Sequence, residues 1–269
     1  METALRHLSG QKSLWLAFYG TVLGAWAILF VLQAVGPADT PVVPAFASLP
    51  AASLLLSLCT VSADAAGFGS AFGMWALMSV AMMAPTAFPA FRTYSDLART
   101  AGNGSLPLAG LAAGYLAVWL GFSAAAAALQ VALAGLDLLS PLGRATSPVF
   151  SGALLVLAGA YQFTPLKEAC VSRCRSPLAF FFSHWREGLR GAAVLGLRLG
   201  AVCLGCCWAL MLLAFVAGTM NLAFMGLAMV LMTLEKLPEI GARLSAPLGV
   251  FLITAGAVAL ALPLVAIIK

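Results

Sequence analysis

The side chains of this 269-residue chain most able to do chemistry carry sulfur. Cys203, Cys206 and Cys207 stand in the run Cys-Leu-Gly-Cys-Cys-Trp-Ala-Leu-Met, which ends at Met211. Residues three and four apart share a helical face, so these thiols and Met211 stack one above another. Met74, Met78 and Met82 recur at four-residue steps, with Met83 adjacent and Pro85 close behind. Thiolate and thioether are soft ligands that favour Cu(I) over hard cations. Packing is the competing explanation, since Met is a flexible core filler and free Cys a small buried hydrophobe. It suffices for any single Met, but three thiols on one face exceed what packing requires. A disulfide within that face is disfavoured, because neighbouring helical positions rarely offer its geometry.

A second pair, Cys170 and Cys174, lies in Lys-Glu-Ala-Cys-Val-Ser-Arg-Cys-Arg. Four-residue spacing puts both thiols on one side of a helical turn, and Arg173 and Arg175 beside them favour the thiolate. Two thiols do not close a zinc site. The pair reads as a metal-receiving port or a redox couple, with incidental loop cysteines as the alternative.

What is missing narrows the chemistry. The only histidines are His7 and His184, both outside the apolar runs, which excludes a bis-histidine haem within a bundle and a multi-histidine copper oxygenase centre in one chain. No phosphate-binding glycine loop or carboxylate-rich cage is present. Charge within the apolar runs is limited to Arg198 and Glu235, candidates for an ion pair or a gate.

The elements that must position these residues follow from composition. Hydrophobic residues make up 62% of the chain and charged residues 9%, against about a quarter charged in a soluble domain. So few charges cannot cover a water-facing surface, and lipid is the implied solvent. Crossing a bilayer takes a helix of about 20 apolar residues. Runs at 13–35, 68–90, 108–134, 145–164, 192–217, 219–236 and 247–268 predict about seven spans in one all-α, polytopic transmembrane bundle, a single domain over 1–269. The first run is too long for a signal h-region and reads as a retained anchor, a cleaved signal being the alternative. Segment 36–67 contains Pro37, Pro41, Pro44 and Pro50 and no Lys or Arg, which predicts an external loop with an interfacial helix. The stretch 165–191 predicts a cytoplasmic loop whose Phe180, Phe181, Phe182 and Trp185 lie at the lipid interface.

Eleven of the fourteen basic residues fall on one side of this arrangement, the exceptions being Arg144, Arg198 and Lys269. The basic side is cytoplasmic, which predicts the N-terminus in and the C-terminus out, in an inner membrane. The net charge of +5 then reports topology and gives no reason to invoke nucleic acid. Span two runs inward and span five outward. Met78, Met82, Met83 and the three cysteines would therefore share a depth near the midplane if the two helices touch.

Three stretches together resemble a family of bacterial integral membrane proteins described as predicted metal-binding and often linked to copper. They are Met74-Trp75 through Met82-Met83-Ala84-Pro85, then Gly159-Ala160-Tyr161-Gln162 through Pro165-Leu166-Lys167-Glu168-Ala169-Cys170 with Cys174, and Cys203-Leu204-Gly205-Cys206-Cys207-Trp208 followed by Met220-Asn221 and Glu235-Lys236. The resemblance covers spans two to six and marks Glu168 and Glu235 beside the sulfur ligands. It implies a membrane protein that binds a soft metal, with copper as the expected ion and a copper-carrying or membrane-complex protein as the expected partner. A membrane oxidoreductase subunit using thiol or copper chemistry, and a structural subunit whose sulfurs merely pack, are the competing classes.

Overall fold

The computed structural model describes residues 2–35, 65–100 and 106–268, with side chains over 12–33, 67–100 and 106–262. These residues form an all-α structure: α1 (Glu2–Val35), α2 (Ala65–Thr100), α3 (Leu106–Gly135), α4 (Pro148–Tyr161), α5 (Pro165–Arg175), α6 (Pro177–His184), α7 (Gly188–Leu212), α8 (Ala214–Ala217), α9 (Leu222–Glu235) and α10 (Pro238–Ile268). The expected external loop at 36–67 lies outside the described residues, except that 65–67 open α2.

Five described helices are long and apolar enough to cross a membrane, and a sixth crossing results if α4 and α5, bent by 63° from one another, count as one. Seven full-length spans were expected, and two of those runs are shorter helices. Helices α4 and α9 have 14 residues each, about 21 Å at 1.5 Å per residue and short of a roughly 30 Å core. Local sequence sets these limits. Ser147 and Thr164 cap the starts of α4 and α5, each followed by a proline at the first helical position. Such a proline loses nothing there, because the first-turn N–H groups have no intrahelical partner. Gly218, at φ 94°, breaks the chain before α9, where the Asn221 side chain accepts from Phe224 N. That φ lies in the region glycine enters without steric cost.

Helix α2 continues through Pro85 and Pro89 to Thr100, beyond the expected end at 90. A proline removes the hydrogen bond to the carbonyl four residues back, which frees the Ala81 carbonyl at Pro85. Trp26 Nε1 donates to that carbonyl at 2.9 Å, so the break in one helix becomes the tie to α1.

Two glycine seams set the closest approaches. Gly114 and Gly196 lie where α3 meets α7, and a Cβ at either would strike the facing backbone, at Ala193 and Leu111 respectively. On α4, a Cβ at Gly152 or Gly159 would come within 2.9 Å of the Gly256 or Gly249 carbonyl of α10. Gly20 and Gly24 of α1, four residues apart, have nothing within 4 Å of a built Cβ.

Polar contacts mark two ends of the bundle. At one, Leu222 N donates to Gln33 (3.2 Å), Trp75 to Gln130 (2.7 Å), and Ala145 N to the Phe215 carbonyl (2.7 Å). At the other lie the Lys167–Glu235 pair and the Lys236–Thr86 bond. The long helices therefore alternate in direction. Stretch 165–191, expected as a cytoplasmic loop with its aromatics at the lipid interface, is largely helical. Phe180 and Phe181 are buried, and Tyr94 of α2 packs on Phe181 and Trp185 with ring centroids 5.4 Å apart in both cases. Only Phe182 of the three phenylalanines faces outward.

Replacing Gly196 with Ala should lower stability by about 1–3 kcal/mol, the usual range for overpacking, seen as a lower thermal midpoint in detergent. Gly20→Ala should leave it unchanged. Equal midpoints for the two variants would show that α3 and α7 do not approach this closely.

Candidate metal centre

Helix α7 presents its cysteines inward. Cys203, Cys206 and Cys207 are buried, and their Sγ atoms lie within 4.8 Å of one another. Two metal–thiolate bonds of about 2.3 Å span at most about 4.6 Å, so small rotamer adjustments bring all three onto one ion. Backbone geometry favours the convergence: the Cys206 and Cys207 thiols donate to the Cys203 carbonyl at 3.0 and 2.8 Å. All the described cysteines are free thiols.

Four other elements complete the surroundings. From α2, Met83 Sδ lies 3.7 Å from Cys207 Sγ. From α3, the Tyr115 hydroxyl lies 3.2 Å from Cys203 Sγ and 3.0 Å from the Met83 carbonyl, within reach because the glycine seam draws α3 and α7 together. Lys236, just after α9, donates from Nζ to Thr86 Oγ1 (2.7 Å) and to Cys203 Sγ (3.2 Å). From α5, Cys174 lines one cavity with Cys203. Cys170, one turn earlier, packs on Gly205, where a Cβ would stand 2.5 Å from its Sγ.

The structure therefore gathers Cys203, Cys206, Cys207 and Met83 in one place, with Cys174 on the same cavity as Cys203. Cys170 lies beside that group, on the side where the Tyr161 hydroxyl donates to the Gly205 carbonyl. Met74, Met78, Met82 and Met211 are buried in the core. Met78 and Met82 each precede by one residue the face carrying Ser79 and Met83, an offset of about 100° round the helix. Ser79 on that face meets Ser123 of α3 at 3.1 Å, which fixes its direction.

The charged candidates find other partners than expected. Glu235 pairs with Lys167 rather than with Arg198, which sits on an exposed face of α7. Both oxygens of Glu235 accept from Lys167 Nζ at 2.8 Å, and Gln162 Oε1 accepts from the same ammonium. Glu168 is mostly exposed and meets Arg175 at 3.3 Å. Arg175 Nε donates to the Glu235 carbonyl at 2.9 Å, while Arg173 is exposed. Both arginines nevertheless line one cavity with Cys174.

Sequence reading passed over Tyr115, Thr86 and the site role of Lys236. The available signal was a lysine directly after an acidic residue at the end of an apolar helix, and a tyrosine in an otherwise apolar run.

A family model described as PpoB2, copper chaperone, matches residues 72–259, a stretch that contains every residue of the cluster. No curated protein and no solved structure matches the chain.

Lys167 and Glu235 are about 1% and 2% exposed, so removing one partner strands a buried charge. Lys167→Met should destabilise by about 3–5 kcal/mol, and adding Glu235→Leu should restore much of that loss. Thermal unfolding of the two variants checks this. A double variant no more stable than the single one would mean that the pair does more than neutralise itself.

Proposed function

The chain belongs to the PpoB2 family of copper chaperones, and from that premise we propose that it is an integral membrane protein that holds Cu(I) as cargo and passes it to a partner. Copper handling rests on the family and on the buried cysteine cluster. The observation that carries the proposal further is the convergence of three thiols within 4.8 Å of one another, with no histidine or carboxylate among them. A donor set made of sulfur alone suits a soft monovalent ion.

In this reading Cys203, Cys206 and Cys207 bind the ion, and Met83 supplies a weaker thioether beside Cys207. Cys174, on one cavity with Cys203, exchanges metal between the cluster and the outside. Lys236 places a positive charge against Cys203 and offsets the thiolate charge that metal binding creates in an apolar interior. Tyr115 fixes the same sulfur from the other side.

Membrane integration is supported by the long apolar helices and by their alternating directions. With the α4–α5 pair and the short α9 counted as crossings, the chain passes seven times, N-terminus inside and C-terminus outside. The basic end, with Arg92, Arg99, Arg173, Arg186 and Lys236, then faces the cytoplasm. The expected partner is a copper-carrying protein or membrane complex.

Detergent-purified, reduced protein should bind about one equivalent of Cu(I) in preference to Zn(II), and Cys203/Cys206/Cys207→Ser should abolish it. Binding that survives the triple substitution, or is absent from the native chain, would remove the cluster as a copper site and favour simple packing. Lys236→Met should weaken Cu(I) binding about 10- to 100-fold, in line with other residues that orient and tune metal ligands. Competition with a chromophoric Cu(I) chelator measures both. Unchanged affinity would mean that Lys236 only bonds Thr86.

A further inference from the structure

Beside the cluster lies a cavity of about 190 Å³, room for on the order of half a dozen waters. Two thiols line it, Cys174 and Cys203, and so do three cations, Arg173, Arg175 and Lys236. Among the described residues no carboxylate lines it. Arg173, Leu237 and Pro238 lie on its walls and are exposed, so the cavity reaches the exterior at the basic end of the bundle.

The nearby acidic groups leave this positive charge largely uncompensated. Glu235 is taken by Lys167, and Glu168 meets one nitrogen of Arg175 from an exposed position. Nη2 of Arg175 is buried and has no hydrogen-bond partner, although the side chain is only 9% exposed. A buried guanidinium with an unused donor calls for an anionic acceptor.

We propose that this cavity is the receiving site for a small anionic thiol, a low-molecular-weight thiolate bearing a carboxylate, that carries Cu(I) to the cluster. The proposal rests on the copper reading above and adds the chemical class of the donor. A Cu(I) complex of carboxylate-bearing thiolates is an anion. The basic wall attracts and orients it, while Cys174 and Cys203 meet the metal. The volume suits a thiol of a few heavy atoms and is too small for a folded protein domain. Transfer is ligand exchange without redox change. One copper–sulfur bond to the carrier breaks as one to Cys174 or Cys203 forms, and the proton of that cysteine leaves on the carrier thiol. From Cys203 the ion reaches Cys206 and Cys207, within 4.8 Å, by a second exchange of the same kind.

Two arms test the proposal on the full reduced chain. In the first, without copper, thiosulfonate reagents bearing a sulfonate or a trimethylammonium group modify Cys174, read by mass spectrometry and normalised to their rates with free 2-mercaptoethanol. The anionic reagent should react about tenfold faster or more. Arg173→Glu, an exposed substitution, should erase or reverse that preference. In the second, Cu(I) is supplied as its complex with 3-mercaptopropionate or with neutral 2-mercaptoethanol, and loading should be faster from the anionic carrier. No charge preference in the first arm, or one that Arg173→Glu leaves intact, overturns the proposal whatever the second arm gives. Measurable loading at equal rates from both carriers overturns it as well. A preference in the first arm with no metal reaching the cluster from either carrier supports the anionic-thiol site and overturns the copper reading instead.

Discussion

The arrangement depends on one buried ion pair. Lys167 and Glu235 meet at 2.8 Å with almost no exposure, in a chain whose charged residues are few. Such a pair repays its desolvation poorly, so its contribution is better sought in what it fixes than in stability. It ties the start of α5 to the end of α9. With α5 folded back against α7, Cys170 lies against Gly205 and Cys174 shares a cavity with Cys203. Arg175 then takes the backbone carbonyl of Glu235, which fixes the last turn of α9. The next residue, Lys236, leaves that turn directed at Thr86 and Cys203. One salt bridge thereby sets the positions of a thiol from one segment and an ammonium from another.

The second requirement is close approach. In the membrane setting proposed above, packing and hydrogen bonds must hold what the hydrophobic effect would hold in water. The glycines of α3 and α7 bring the two backbones together, and Tyr115 then spans from α3 to both Cys203 and Met83. Pro85 works in the opposite sense. It opens a hydrogen bond in α2, and the freed carbonyl is claimed by Trp26. Gaps and small residues, more than large apolar side chains, determine which helices touch.

Much of the structure could be read in the sequence, within a definite limit. Periodicity along one helix is a local property, so the shared face of Cys203, Cys206 and Cys207 followed directly from their spacing. The long apolar runs likewise announced helices. Rotation of one helix against another is not local. The four-residue ladder of Met74, Met78 and Met82 was conspicuous, yet the sulfur in contact with Cys207 is that of Met83, one position out of the ladder. Partner choice for Glu235 failed for the same reason. Arg198 and Glu235 stood out as charges in apolar runs, whereas Lys167 looked like a loop residue, because nothing local shows α5 turning inward. The breaks at Thr164-Pro165 and Gly218 were visible as residue types, but that they shorten helices to 14 residues depends on where the neighbouring backbones end.

Charge explains why a cluster of this composition suits handing on an ion as well as holding it. Three thiolates in an apolar interior would carry three uncompensated charges, a state such an interior strongly disfavours. In the proposed reading, one monovalent ion and the Lys236 ammonium together balance two thiolates, and the third sulfur remains a neutral thiol. Cys206 and Cys207 already donate to the Cys203 carbonyl, so a protonated sulfur has an acceptor at hand. The ion can then change sulfur partners by moving one proton between adjacent cysteines, with the net charge of the site held constant throughout. A fourth thiol at Cys174, on one cavity with Cys203, extends that sequence of neutral steps toward the basic end of the bundle. Tight retention would call for a closed set of ligands. An open chain of thiols beside a single fixed cation favours transfer.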